Sequence, residues 1–256
     1  MSWARRVRRV VLPLLVLAAL IGAWQVAAAN GTIADAFSLE PFLVPSPAEV
    51  GKALWENRTL LWDNTWVTLR EILIGLAAGA VAGVVLALPM RFSELFRDTF
   101  YPLAVAAQAI PVAAIGPILV VWFGFGIGPK IFLVGLFTFF PILVNTLDGL
   151  RSVDPEAVKM MRTLDGSRWA IFRRVEVPSA LPPFFTGLKV AAAITPIVAL
   201  IAELVGSTSG LGRQIITDNA NLEVARMFAA VVILMVIGIV LFGLAALVER
   251  LVIRWR

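Results

Sequence analysis

Six apolar stretches, each close to the length needed to cross a lipid bilayer as a helix, constrain this chain more than any other feature. They occupy residues 10–29, 66–90, 99–122, 131–150, 184–205 and 224–247, and a spanning helix needs about 20 such residues at 1.5 Å each. Composition agrees: of 256 residues, 60% are hydrophobic and 15% charged, whereas a soluble domain carries about 25% charged residues. Mean hydropathy is +0.90. The expected fold is an all-α membrane protein of about six transmembrane helices. The opening Arg5, Arg6, Arg8 and Arg9 before an apolar run resemble a signal peptide, and Ala27-Ala28-Ala29 resembles a cleavage site. The run is long enough to span, so it is read as an uncleaved first helix.

The chain has no cysteine and no histidine. That excludes disulfides, Cys–His nucleophiles and Ser–His–Asp triads, and removes the commonest transition-metal ligands. No catalytic residue and no metal site is expected. The pI near 10.4 does not point to nucleic acid, because the basic residues form no patch with interleaved aromatics. They lie in short segments between apolar runs, where they set orientation. With the N-terminus inside, the inner segments hold fifteen: Arg5, Arg6, Arg8, Arg9, Arg91, Arg97, Arg151, Lys159, Arg162, Arg168, Arg173, Arg174, Arg250, Arg254 and Arg256. The outer segments hold five: Lys52, Arg58, Lys130, Arg213 and Arg226. Both termini are therefore expected inside, with an even number of spans. Arg70 and Lys189 fall within spans and either snorkel or face protein.

Residues 1–65 read as an N-terminal helix with an external segment, and 66–256 as a core. In the polar stretch 30–65, Ser46, Pro47 and Glu49 are placed to start a short surface helix. Gly75, Gly79 and Gly83 share one face of the second span and let another backbone approach, within the bundle or at a subunit interface. Trp24, Trp55, Trp62, Trp66, Trp122 and Trp255 lie near span ends, as an interfacial aromatic belt would.

The longest strongly charged segment, 151–183, reads as two short helices. Asp154 caps the first, Pro155 is its first residue and Glu156 suits its positive end. Val158, Met161 and Leu164 give it an apolar side, and Gly166 is expected in the left-handed conformation that ends it. Ser167 starts the second, with Trp169 and Phe172 on one side, and Val177-Pro178 is expected to stop it before Leu181-Pro182-Pro183 leads into the fifth span. Such a segment either meets a partner or lies in the headgroup layer, held by its arginines.

The run VDPEAVKMMRTLDGSRWAIFRRVEVPSALPPFFTGLKVA resembles the coupling loop of ABC importer permeases, above all the nitrate, sulfonate, taurine and bicarbonate group. Aligned on Val175-Glu176-Val177-Pro178, the consensus glycine falls on Asp165 and the consensus Glu-Ala-Ala on Lys159-Met160-Met161. Ala109-Ile-Pro-Val-Ala-Ala-Ile-Gly-Pro117, Trp122-Phe-Gly-Phe-Gly126, Phe140-Pro-Ile-Leu-Val-Asn145, Ala202-Glu203 and Ser209-Gly-Leu-Gly212 add to the resemblance, which covers residue 67 to the C-terminus. The stretch 188–203 with its Gly-Leu-Gly is also similar to permeases for pyrimidine precursors or riboflavin.

The resemblance implies a multi-pass subunit of a bacterial-type inner (plasma) membrane that forms a translocation pathway with a second permease subunit, identical or not. Separate ABC ATPase subunits would bind the ATP and an external binding protein would deliver the solute. Glu156, Leu164, Asp165, Gly166, Ser167 and Trp169 would face the ATPase; Glu203, Gln108 and Asn145 are candidates for the pathway or its gate. No G-x-x-x-x-G-K-[ST] occurs, so no cofactor is expected on this chain. The alternative is an ion-driven secondary transporter, which needs intramembrane carboxylates. Glu203 and Glu71 come nearest, Glu203 either snorkelling outward or lining an outer mouth. An intramembrane enzyme has fewer parts still, since Asp148 has no evident partner acid. Cysteines placed at Ser38 and Asp218 are expected to label from outside and one at Ser167 only from inside; outside labelling at Ser167 in intact cells overturns the orientation.

Overall fold

A computed structural model describes residues 3–254, the side chains of 3–10 excepted. The Arg5, Arg6, Arg8 and Arg9 side chains, Trp255 and Arg256 therefore lie outside the described residues. Those residues form helices and connecting turns, with no strand among them. The chain divides into two compact units, Met1–Asp63 with Gln214–Val232, and Asn64–Arg213 with Ile233–Arg256.

In the first unit, α1 (Trp3–Ala29) is followed by the short α2 (Thr32–Phe37), a 3-10 turn at Pro41–Leu43 and α3 (Pro47–Glu56). α3 starts as its sequence dictates. Ser46 accepts from Glu49 N–H, and Glu49 accepts from Ser46 in return at 2.7 Å, a complete capping box. The Ser46 backbone and hydroxyl donors hold the Glu49 carboxyl below its ordinary pKa. Trp24 packs on Phe228. Asp218 is fully buried and accepts from Gln214 at 2.7 Å and from Arg226 at 2.8 Å. A cysteine in its place would be hidden from label, so exposed Asn219 is the better probe there.

α4 (Arg58–Phe92) is 35 residues long, about 52 Å at 1.5 Å per residue, and begins well before the expected span. Arg70 is covered by Trp66, 4.9 Å from its ring centre. The third expected span, 99–122, is broken: α5 (Glu94–Gln108) and α6 (Val112–Phe123) meet at 97°. The cause is local. Pro111 lacks an N–H, and Ile110 before it is pushed out of the helical region. Among the described residues five helices are long and apolar enough to span, or six when the bent pair is one span.

α7 (Gly128–Arg151) lies along α4 in the same direction. A Cβ on Gly79 would sit 2.9 Å from Gly135 O, and one on Gly83 would sit 2.7 Å from Phe139 O. Gly75 meets Val134 as closely. The glycine face is thus in backbone contact with a neighbouring span of the same chain. Below it Ala87, Met90, Phe139, Leu143 and Leu147 form an apolar core.

α8 (Pro155–Thr163) and α9 (Arg168–Ile171) follow, then a π-turn (Phe172–Glu176) and α10 (Val177–Gly206). Val177-Pro178 does not stop the second helix. Arg168–Gly206 is one uninterrupted run of 39 residues. The proline deprives one carbonyl of its usual donor, and the chain responds by widening a turn, so that Val177 N–H bonds Phe172 O. Leu181-Pro182-Pro183 accordingly lies within α10. α10 runs antiparallel to α7, with Gly149 against Ala180 and Gly187 against Pro141 O. α11 (Leu211–Ala220) and α12 (Val224–Val252) complete the chain, and Lys189 bonds Glu249 on α12 at 2.6 Å. Trp24 is half-buried, while Trp55, Trp62, Trp66 and Trp122 are exposed.

Gly79→Leu should separate α4 from α7, because the new side chain meets backbone that cannot give way. A loss of about 3 kcal/mol or more is expected, read as a lowered unfolding midpoint in detergent. Gly22→Leu, which points into open space, should be neutral.

Candidate coupling segment and buried ion network

The segment after α7 is a helix, a tight turn and a second helix. Asp154 caps α8 by accepting from Glu156 N–H at 2.9 Å. The helix closes in a Schellman motif: Gly166 N–H bonds Met161 O at 2.8 Å and Asp165 N–H bonds Arg162 O at 3.1 Å. The left-handed residue is Asp165, at φ 55°, not Gly166 as its residue type led us to expect. A short polar side chain tolerates that region, and Asp165 stands at the position where the importer consensus has glycine. Gly166 is required for a different reason. A Cβ there would lie 2.5 Å from Met161 O. Ser167 then caps α9, accepting from Ala170 N–H at 3.2 Å.

This hairpin presents apolar side chains to its surroundings. Leu164 is 70% exposed, Trp169 65% and Met160 61%, while Glu156 and Asp165 are exposed beside them. Trp169 stacks on Phe172, which in turn contacts Phe92 at the end of α4. Phe172 also enters a small core with Leu150 and Ala180.

At the opposite ends of the same spans lies a buried polar network. Lys130, in the first turn of α7, donates to Glu71 of α4 at 2.9 Å and to Ser207 beyond α10 at 2.7 Å. Both members of this ion pair are almost fully buried. Glu203 of α10 is wholly enclosed, accepting from Thr68 Oγ1 and from Gly212 N–H, each at 2.6 Å. Leu211 N–H bonds Thr68 Oγ1 at 2.9 Å and Gly210 N–H bonds Asn64 Oδ1 at 2.8 Å. The opening N–H groups of α11 are thus met by side chains of α4 and α10, and the Glu203 carboxyl sits where a helix N-terminus favours negative charge. Gly210, at φ 106°, and Gly212 leave room for it, since a Cβ on Gly212 would meet Glu203 Cβ at 2.8 Å.

Several expectations change accordingly. Glu203 does not snorkel to an interface; Thr68 and the glycine turn hold it inside. Lys130, counted with the outer segments, is a buried ion-pair partner. Gln108 Nε2 donates to Leu136 O at 3.2 Å and Asn145 Nδ2 to Pro141 O at 2.7 Å, so both amides have bonds to the body of the protein. The structure brings Glu203 together with Glu71 and Lys130, and does not bring Gln108 or Asn145 into that group. Lys130 was missed, although a signal existed. In alternating spans the starts of the second and fourth and the end of the fifth lie at one level, which aligns Glu71, Lys130 and Glu203.

Several spans, tied internally by ion pairs, with a charged hairpin built into the foot of one of them, define a multi-pass helical membrane protein. Comparison with known proteins narrows this. The family described as "Binding-protein-dependent transport system inner membrane component" matches residues 79–254, and the chain belongs to that family. A Haemophilus influenzae protein described as an ABC transporter permease is 38% identical over 91% of this chain and 93% of its own length. The formylaminopyrimidine transport permease ThiX of Halalkalibacterium halodurans is 37% identical over 85% and 87% respectively. The taurine permease TauC of Escherichia coli is 28% identical over 95% and 90%. In fold, the chain is similar to a solved amino acid ABC transporter chain (TM-score 0.61, 16% identity, 78% of this chain and 96% of the other). A chain of the MetNI methionine transporter gives a TM-score of 0.56 at 16% identity, with 78% and 97% covered. The protein is an ABC importer permease of the inner membrane, of a kind that works with ATPase and binding-protein partners, and not an ion-driven carrier.

Lys130→Met should leave Glu71 buried and uncompensated, at a cost of about 3–5 kcal/mol. Lys130→Met with Glu71→Leu should recover much of that loss. Thermal unfolding of the purified variants checks both, and a neutral single variant would show that the pair contributes nothing.

Proposed function

We propose that the hairpin of α8 and α9 is the contact through which a separate ATPase subunit drives this permease. The observation that supports the reading most is mechanical. The exposed Leu164 and Trp169 sit on a hairpin whose second helix runs without a break into the span α10. A push on the hairpin is a push on that span. Glu156, Asp165, Gly166 and Ser167 shape the hairpin, while Leu164 and Trp169 supply the apolar contact. In this reading the hairpin and both termini lie in the cytoplasm, residues 66–256 are the permease core, and residues 1–65 carry the first helix and the external segment. The coupling loop is residues 151–183. Two permease subunits line the pathway, ATP is held by the ATPase alone, and an external binding protein delivers the solute. Glu203 acts by fixing the turn that follows α10, at the outer end of the pathway.

For the solute, a small nitrogen heterocycle is favoured over a sulfonate. Relatives named for formylaminopyrimidine and riboflavin transport are 37% and 34% identical, against 28% to 30% for those named for taurine and aliphatic sulfonates.

Leu164→Asp should release the ATPase from the purified complex and abolish transport. Gly166→Val should do the same by forcing the hairpin apart at Met161 O. Co-purification of the ATPase, together with solute uptake into vesicles, reads both. Full association and full uptake in both variants would place the contact elsewhere.

A further inference from the structure

The run from the hairpin into α10 has one soft place. At the π-turn the helix is wider than an α-helix, and Pro178 just beyond it contributes no N–H. A load applied at Trp169 would bend the run there before it reached the span. Glu176, the last residue of the π-turn, is only 6% exposed and is gripped at that point. Arg91, near the end of α4, donates to it through Nε at 3.1 Å and Nη2 at 2.5 Å. The same Nε donates to Leu150 O at the end of α7, at 3.1 Å. One guanidinium therefore fastens the soft turn to the ends of two spans, in the two-pronged geometry that fixes direction as well as distance. Apolar contacts run alongside, from Trp169 to Phe172 and from Phe172 to Phe92, next to Arg91 in sequence.

The geometry points to Arg91 and Glu176 as positioning residues of transport: a strut that stiffens the π-turn and delivers the movement of the hairpin to α4 and α7 as well as α10. The strut rests on the reading of the hairpin as the ATPase contact. It touches neither ATP nor solute, so its loss should separate hydrolysis from transport rather than abolish hydrolysis.

The test uses the whole complex in vesicles, with the external binding protein supplied, and measures solute taken up per ATP hydrolysed. Arg91→Ala and the milder Glu176→Gln should each lower that ratio about tenfold, the size expected when one strong coupling is lost, while the ATPase still co-purifies. Arg91→Lys, which keeps the charge but not the two-pronged grip, should fall in between. The exchange Arg91→Glu with Glu176→Arg should lie above either single variant. If Arg91→Ala and Glu176→Gln lower only yield or unfolding temperature, and the assembled complexes keep the wild-type ratio, the pair is merely structural and the strut is overturned. If the ratio holds while Leu164→Asp still releases the ATPase, the strut fails and the hairpin contact stands. If Leu164→Asp leaves association and uptake intact, the hairpin reading fails first and the strut falls with it.

Discussion

Hydrocarbon offers no hydrogen bonds, so any charge carried among spanning helices must find its partner inside the protein. In this permease the partners meet because α4 and α7 touch backbone to backbone. Gly75, Gly79 and Gly83 bring the two axes close enough for Glu71 to reach Lys130 at one end of the pair. At the other end the same spacing lets Arg91 reach Leu150 O. α10 then lies antiparallel to α7, and its two ends supply Ser207 and Glu176 to these two clusters. Three spans are thus tied together near both ends, while Lys189, midway along α10, pairs with Glu249 of α12.

The two ends of that group do different work. At the Lys130 end the polar atoms are consumed in fixing a turn and the start of α11, with Glu203 satisfied by Thr68 and Gly212. At the Arg91 end they hold the π-turn, next to an element that exposes large apolar side chains. These three spans contrast with α5 and α6, which meet at 97°.

Much of this was legible in the sequence. Length and apolar runs mark the spans, the capping residues Ser46, Asp154 and Ser167 mark helix starts, and the motif of the 151–183 segment points to the family. What failed did so for physical reasons. Propensity makes Pro178 a terminator, but a neighbouring turn widens to absorb it, an option that propensity does not include. Residue type favours Gly166 as the left-handed residue, but Asp165 adopts that conformation and Gly166 answers to a steric contact with Met161 O. In the same way Ala109-Ile-Pro111 lies within one apolar run, and only the backbone shows that the run turns there. Glu71 and Lys130 looked unrelated because 59 positions separate them, and pairing depends on the level each reaches in the membrane.

The π-turn also sets an azimuth. An α-helix advances its side chains by about 100° per residue, so one extra residue in a turn rotates everything before it by about that angle relative to everything after. The face on which Trp169 stands is therefore not fixed by counting back from Glu203 along an ideal helix. It is fixed by where the turn between Phe172 and Glu176 is widened. Removing a single residue from that turn would leave Pro178 in place and swing the hairpin about a quarter-turn relative to the span.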